Sequence, residues 1–240
     1  MNPAAHRPTA SELATGRTQR AATAVATVLA RTFCALDVRG LEHLPADEPF
    51  LLCANHTSHV DTFALASATG AHSRRLVFLG ARDYFSRFGR RTWFIRRLIC
   101  LIPFDRGSGL AAAKHNFSLL AACREAGRII VLFPEGTRSP DGTVRDFKPG
   151  VAMFADKLSL RVVPCRIDGA HAMLPKGGTF PRPRPLRVTF DPPLSVPTAA
   201  TPHETGAARA ARYAAFAAQL HHQIAGLGTP SASIPTPAFS

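Results

Sequence analysis

"LAAAKHNFSLLAACREAGRIIVLFPEGTRS", residues 110–139, contains a helix, a stop, a strand and a polar loop in direct succession. Leu110, Phe117 and Leu120 share one face at the helical period, and Gly127 supplies the helix stop. The following "RIIVLF" is a short apolar run rich in β-branched residues, which reads as a buried strand. Pro134 ends it, because proline has no N–H to give to a ladder. The pattern recurs along the chain. "FLLCA", "RLVFLGA", "CLIPF", "LRVVPCRI" and "LRVTFDPP" read as further strands with helical patterns between them. The expectation is an α/β fold, one domain with a mostly parallel central sheet flanked by helices.

At 240 residues the chain is long enough to bury a substantial core in one domain. Residues 1–20 are polar and aperiodic, and 228–240 are rich in Pro, Ser and Thr, so both ends read as disordered. The working domain is then 21–227. Val25, Leu29, Phe33 and Leu36 recur near a helical period, which predicts an amphipathic first helix ending before Gly40. That helix suits either the core or a membrane surface.

The balance of 29 Lys and Arg against 16 Asp and Glu gives a formal charge of +13 and points to an anionic partner: nucleic acid, anionic lipid or a phosphorylated small molecule. Five scattered cysteines in apolar contexts (Cys34, Cys53, Cys100, Cys123, Cys165) read as reduced core residues and favour a cytosolic face. None pairs at a metal-ligand spacing. No apolar run reaches the length of a spanning helix, and "RAATAVATVLAR" is too weakly apolar for a cleaved leader. Residues 82–102 interleave six arginines with Tyr84, Phe85, Phe88, Trp93 and Phe94. Such a segment suits a bilayer interface or the outside of a core-packed helix.

"NHTSHVD", residues 55–61, follows the run "PFLLCA". On a continuous helix His56 and Asp61 would stand about 140° apart and could not meet. Ser58 and Asp61, however, match the S-x-x-[DE] capping pattern, with Ser58 at the N-cap and Asp61 in the first turn. His56 then lies in the preceding loop, from which its ring can fold back to Asp61. The carboxylate would hold one ring N–H and leave the other nitrogen as a base. His59 is assigned to the helix, facing elsewhere. Two other readings stand beside this one: Asp61 as a simple cap, and a metal site from His56, His59 and Asp61, which the basic surroundings disfavour.

In "FPEGTRS" Gly136 permits close backbone approach to a ligand, and Arg138 offers a planar fork for phosphate. The plain alternative is a turn with a Glu135–Arg138 surface pair. "FKPG" adds Lys148 beside a helix start, and "IPFDR" adds Arg106 at another strand end. Ligands of open α/β sheets collect at the carboxyl ends of strands, where these loops fall.

In their order and spacing, "NHTSHVD", "IPFDR", "FPEGTRS" and "VVPCRI" resemble the four blocks of the glycerolipid acyltransferase family, over residues 50–168. The likeness is greatest to the 1-acylglycerol-3-phosphate acyltransferases. It implies a glycerolphosphate-acyltransferase-like fold, catalysis by His56 and Asp61, and acceptor or phosphate binding by Arg106, Glu135, Gly136, Thr137 and Arg138, with Lys148 added beside them. It implies an acyl thioester donor (acyl-CoA or acyl-carrier protein), a lysophosphatidate acceptor, no resident cofactor and no metal. The partner becomes an anionic membrane surface, met peripherally on its cytoplasmic face, with no nucleic acid. Another lysolipid or glycerol 3-phosphate as acceptor remains open, as does a lysolipid or thioester hydrolase. A non-catalytic basic membrane- or nucleic-acid-binding protein would leave the first and third blocks unexplained. Cys165 departs from the aliphatic residue usual in the fourth block and leaves chain preference open. No G-x-S-x-G elbow presents a nucleophile, so direct transfer without an acyl-enzyme is expected.

Overall fold

The computed structural model describes residues 34–81, 100–105, 109–201 and 203–228, with Ala21, Ala24 and Val28. Segments 1–20 and 229–240, most of the arginine-aromatic stretch (82–99) and Arg106 lie outside the described residues. So does most of the first helix, of which Ala21, Ala24 and Val28 are helical.

One sheet of seven strands organises the described chain: β1 (Asp37–Arg39), β2 (Leu51–Ala54), β3 (Leu76–Ala81), β4 (Leu101–Phe104), β5 (Ile129–Leu132), β6 (Val162–Asp168) and β7 (Arg187–Phe190). Their order is β1-β7-β6-β2-β5-β3-β4. All neighbouring pairs are parallel except β6 with β7. The helices are α1 (Val60–Ala68), α2 (Leu110–Glu125), α3 (Gly150–Leu158), α4 (Ala170–Met173) and α5 (Gly206–Gly226).

All six strands expected from the apolar runs are present. The seventh, β1, is a correction: Leu36 does not continue a helix but leads into Asp37–Arg39, which pairs with β7. Three residues, two of them charged, carry no apolar period. Their strand exists because Leu186 and Cys34 bring the segment alongside β7, with Leu186 N–H donating to Cys34 O and Asp37 N–H to Leu186 O, each at 2.9 Å.

Alternation along each strand divides the core between the two faces of the sheet. Leu51, Cys53, Val77 and Ile130 pack with α2, α3 and α5 through Leu120, Cys123, Ala152, Phe216 and Leu220. Leu52, Ala54, Phe78, Ile129 and Val131 face the other way and pack with α1 and α4 through Ala64, Leu65 and Met173. Helix α2 stops as the glycine predicts. Gly127 has φ +65°, its N–H donates to Arg124 O, and Arg128 N–H reaches back to Cys123 O, both at 2.9 Å. The last carbonyls are thereby satisfied and the chain is aimed into β5.

Because β2, β3, β4, β5 and β6 run parallel, their carboxyl ends share one edge of the sheet. The loops after β2 and β5, which carry "NHTSHVD" and "FPEGTRS", emerge side by side from adjacent strands. Beyond β4, Asn116 of α2 pins the exit: its side-chain amide donates to Asp105 O at 2.7 Å and accepts from Asp105 N–H at 3.0 Å.

Candidate active site

The loop after β2 is built by side chains standing in for strand hydrogen bonds. Asn55, fully buried, donates to Ile167 O at 3.0 Å and accepts from Ile167 N–H at 2.8 Å. One amide thus prolongs the β2–β6 contact while releasing the backbone to turn. His56 follows, with its peptide gripped on both sides. Its N–H donates to Glu135 Oε1 at 2.8 Å, and its C=O accepts from Ser139 N–H at 2.7 Å. The first and third sequence blocks therefore lock together on the His56 backbone.

The His56 ring lies within 2.8 Å of Asp61, Nδ1 to Oδ2. The same oxygen accepts from Thr57 N–H at 2.7 Å and Ser58 N–H at 2.8 Å. Asp61 is wholly buried, while the His56 side chain keeps 19% exposure. With a carboxylate at Nδ1, the bound N–H faces Asp61 and Nε2 is left as the acceptor. Phe133, at the end of β5, stacks on the imidazole with ring centroids 4.0 Å apart. The ring is held by a bond at one edge and an aromatic plane on one face.

The cap has a slightly different geometry from the one expected. Helix α1 begins at Val60, with exposed His59 as the residue before it rather than inside it. Ser58 still serves the helix start, since its Oγ accepts from Val60 N–H at 3.1 Å and the Asp61 carboxylate reaches back to Ser58 N–H. The Ser58 hydroxyl is donated to Leu174 O at 2.7 Å, so it ties α1 to the loop after α4. Asp61 is both a cap and the partner of His56. Among the described residues, no group of three or more His, Cys, Asp and Glu side chains forms a metal cluster.

Glu135 is not half of a surface pair. It is 5% exposed, and its Oε1 is occupied by His56 N–H. Burial pushes its carboxyl up to about 7; the His56 and Arg145 N–H groups oppose that rise and nearby Asp61 adds to it. Gly136 has φ +75°, and a Cβ there would fall 2.9 Å from Lys148 Nζ, so the lysine lies along the glycine. Thr137 is exposed and Arg138 half-buried. Lys148 sits two residues before α3, as expected, and its N–H donates to Pro134 O at 3.0 Å. The structure thus gathers His56, Asp61, Glu135, Gly136, Thr137, Arg138 and Lys148 at one edge of the sheet; Arg106 is outside the described residues. Asn55, Phe133 and Ser139 join them without having been singled out from sequence.

None of the five cysteines is in a disulfide, and burial pushes the thiols of Cys53, Cys123 and Cys165 up. A thiol held so firmly protonated is a poor nucleophile.

The raised Glu135 carboxyl makes stability pH-dependent. Its favourable contribution is complete below the ordinary value of 4.5 and is lost as pH rises through about 7, where a buried charge must form. Glu135→Gln keeps an oxygen for His56 N–H and removes the titration. Urea unfolding of both proteins at pH 4.5 and pH 8 should show the variant gaining on the natural chain by on the order of 2–3 kcal/mol across that range. A constant difference would mean that the Glu135 carboxyl titrates alike in the folded and unfolded chain.

A model of the family described as Acyltransferase matches residues 35–168. The chain is 27% identical over 165 residues to the 1-acyl-sn-glycerol-3-phosphate acyltransferase of Limnanthes alba, covering 67% of this chain and 54% of that protein. It is 30% identical over 158 residues to the enzyme of that name from Pseudomonas aeruginosa, covering 66% and 58%. A chloroplastic 1-acyl-sn-glycerol-3-phosphate acyltransferase of Arabidopsis thaliana is 30% identical over 148 residues, 60% of this chain and 39% of that one. The chain spans about half the length of the curated relatives it matches. The crystal structure of the 1-acyl-sn-glycerophosphate acyltransferase PlsC from Thermotoga maritima superposes with a TM-score of 0.63 at 22% identity, over 90% of this chain and 83% of that one, and shows the same fold. The matched span covers more than half of the chain and includes the His56–Asp61 pair and the Glu135–Ser139 loop locked to it; the chain belongs to the acyltransferase family.

Proposed function

We propose that this chain is a 1-acylglycerol-3-phosphate O-acyltransferase, which moves a fatty acyl group from acyl-CoA or acyl-carrier protein to the free hydroxyl of lysophosphatidate and yields phosphatidic acid. The observation that carries this reading is the Nδ1 bond from His56 to buried Asp61, in a loop clamped to the Glu135–Ser139 turn.

In this mechanism the phosphate docks on Arg138 and Arg106, with Lys148 and the backbone at Gly136 and Thr137 alongside. Arginine suits the role because its fork matches phosphate oxygens two at a time. Glu135, a poor neighbour for phosphate, acts from behind by holding the His56 N–H. His56 Nε2 takes the proton of the acceptor hydroxyl as the oxygen attacks the thioester carbonyl. A C–O bond forms, and the oxyanion is met by backbone N–H groups of the loop after β5 other than that of Gly136, which donates to Phe133 O at 3.0 Å. Collapse breaks the C–S bond, and the imidazolium returns its proton to the leaving thiolate. Asp61 orients the ring and balances its charge while it holds that proton. Acyl donor and acceptor supply all the reacting atoms, so no resident cofactor or metal takes part. The site works peripherally, at the cytoplasmic face of an anionic membrane. Among the described residues no helix is long and apolar enough to cross one.

Mass-spectrometric product analysis tests this directly. The purified chain is given one acyl-CoA with a panel of lysolipids and glycerol 3-phosphate, then the same acyl group on carrier protein. Phosphatidic acid from lysophosphatidate is the expected principal product. Free fatty acid in the presence of abundant acceptor would make the protein a hydrolase, and a principal product from another acceptor would reassign the substrate.

A further inference from the structure

We propose that loop 175–185, between α4 and β7, docks the protein on an anionic lipid bilayer, with Phe180 entering the acyl boundary while Arg182 and Arg184 meet the headgroups. The inference rests on the lipid-acceptor reading above only for the reason that a bilayer should lie against this edge of the sheet.

Phe180 is 82% exposed, well above Phe63 at 37%. A single exposed apolar side chain is ordinary on a protein surface and by itself means nothing. Three further observations give this one a direction. First, residues 169–190 contain no Asp or Glu but do contain Lys176, Arg182, Arg184 and Arg187. Lys176, Arg182 and Arg184 are exposed with Phe180, so every charge the loop itself presents is positive. Second, the loop is preformed. Prolines 175, 181, 183 and 185 fix φ at four positions, Gly178 N–H closes a turn on Pro175 O at 2.9 Å, and Arg182 N–H donates to Met173 O at 2.8 Å to close the root. Little order is then lost when the tip meets a surface.

Third, the root is fastened to both halves of the candidate site. The Ser58 hydroxyl donates to Leu174 O at 2.7 Å, one residue before the loop. Lys176 Nζ donates to Arg138 O at 3.4 Å. A membrane touching Phe180 is therefore held beside the loops that carry His56 and Arg138. An aromatic ring with arginines beside it matches the division of a bilayer interface, apolar a few ångströms below a negative surface. An acidic protein surface would satisfy the arginines but has no equivalent use for one ring projecting from a narrow loop.

The test uses the full chain, sedimented with vesicles of mixed phosphatidylglycerol and phosphatidylcholine or of phosphatidylcholine alone. Phe180→Ala should lower partitioning onto the anionic vesicles on the order of tenfold. Arg182→Ala with Arg184→Ala should lower it on the order of twentyfold and flatten its salt dependence. Phe180→Trp should gain a blue-shifted emission component, quenched by brominated lipid, over that of the natural chain. Turnover of an acceptor dispersed as monomers should be unchanged in all these variants, and turnover of vesicle-borne acceptor should fall. Absent binding by the natural chain, or binding indifferent to these substitutions, overturns the docking role even if monomeric acceptor is acylated normally. Unaltered vesicle binding with transfer lost only from a carrier-protein donor would overturn it in favour of an acidic protein partner. Failure to acylate monomeric acceptor, with docking intact, would instead sink the acyltransferase reading.

Discussion

Replacing His56 by alanine is expected to lower acyl transfer between a hundredfold and ten-thousandfold, the range spanned by loss of a positioned general base. His59→Ala should leave it within about a factor of two. The two residues are chemically identical and three apart, so the contrast isolates position. His56 has its Nδ1 against a buried carboxylate, its ring stacked on Phe133 and its peptide held by Glu135 and Ser139. His59 is exposed at the start of α1. Fixing the ring at one edge and one face, on a peptide that is itself held, restricts Nε2 to a narrow set of positions, which is what proton transfer in a transition state requires. The loss should appear in kcat, because alanine leaves Arg138 and Lys148 in place to bind the acceptor. Steady-state assays with labelled acyl donor read both variants, and an active His56→Ala protein would remove the base from the mechanism.

The strands that were legible in sequence share a property. β2, β3, β5 and β6 are interior strands with helices on both faces, so they read as unbroken apolar runs. β4 at the sheet edge tolerates Pro103 and was still marked by its apolar neighbours. β1 was not legible, because Asp37 and Arg39 owe their extended form to pairing with β7, 150 residues away. Helix α5 was also missed. Its run of alanines dilutes the apolar stripe of Tyr213, Phe216, Leu220 and Ile224 that packs on the sheet.

The site divides in the same way. Spacing and capping chemistry were sufficient to place His56 before a helix and Asp61 in its first turn, since those are local relations. Glu135 was assigned to the ligand side, whereas its carboxylate bonds to a peptide 79 residues away. No local pattern distinguishes a glutamate facing solvent from one buried against another loop. Asn55 and Ser139 belong to that class too: each binds the backbone of a distant block, so their value lies in tertiary contacts that short-range reading does not reach.

Substituting Asp61 separates two duties of one side chain. Its Oδ2 accepts three hydrogen bonds, from Thr57 N–H, Ser58 N–H and His56 Nδ1. In Asp61→Ala all three donors lose their acceptor, the Thr57 and Ser58 N–H groups at buried residues, and each orphaned backbone N–H costs about 1–3 kcal/mol. The variant should lose on the order of 3–5 kcal/mol in urea unfolding, and activity falls with the fold. Asp61→Asn is the sharper test. Its amide oxygen can occupy the Oδ2 position and keep all three donors, while its NH2 must be accommodated at the Oδ1 position, where no donor meets the carboxylate among the described residues. Stability should then fall by only about 1–3 kcal/mol. Transfer should nonetheless drop by a hundredfold to ten-thousandfold, because a neutral amide holds the ring but cannot balance the imidazolium formed when His56 takes the proton. A stable Asp61→Asn protein with natural kcat would reduce Asp61 to a helix cap. A stable one with kcat lost and KM retained would place its negative charge in the transition state.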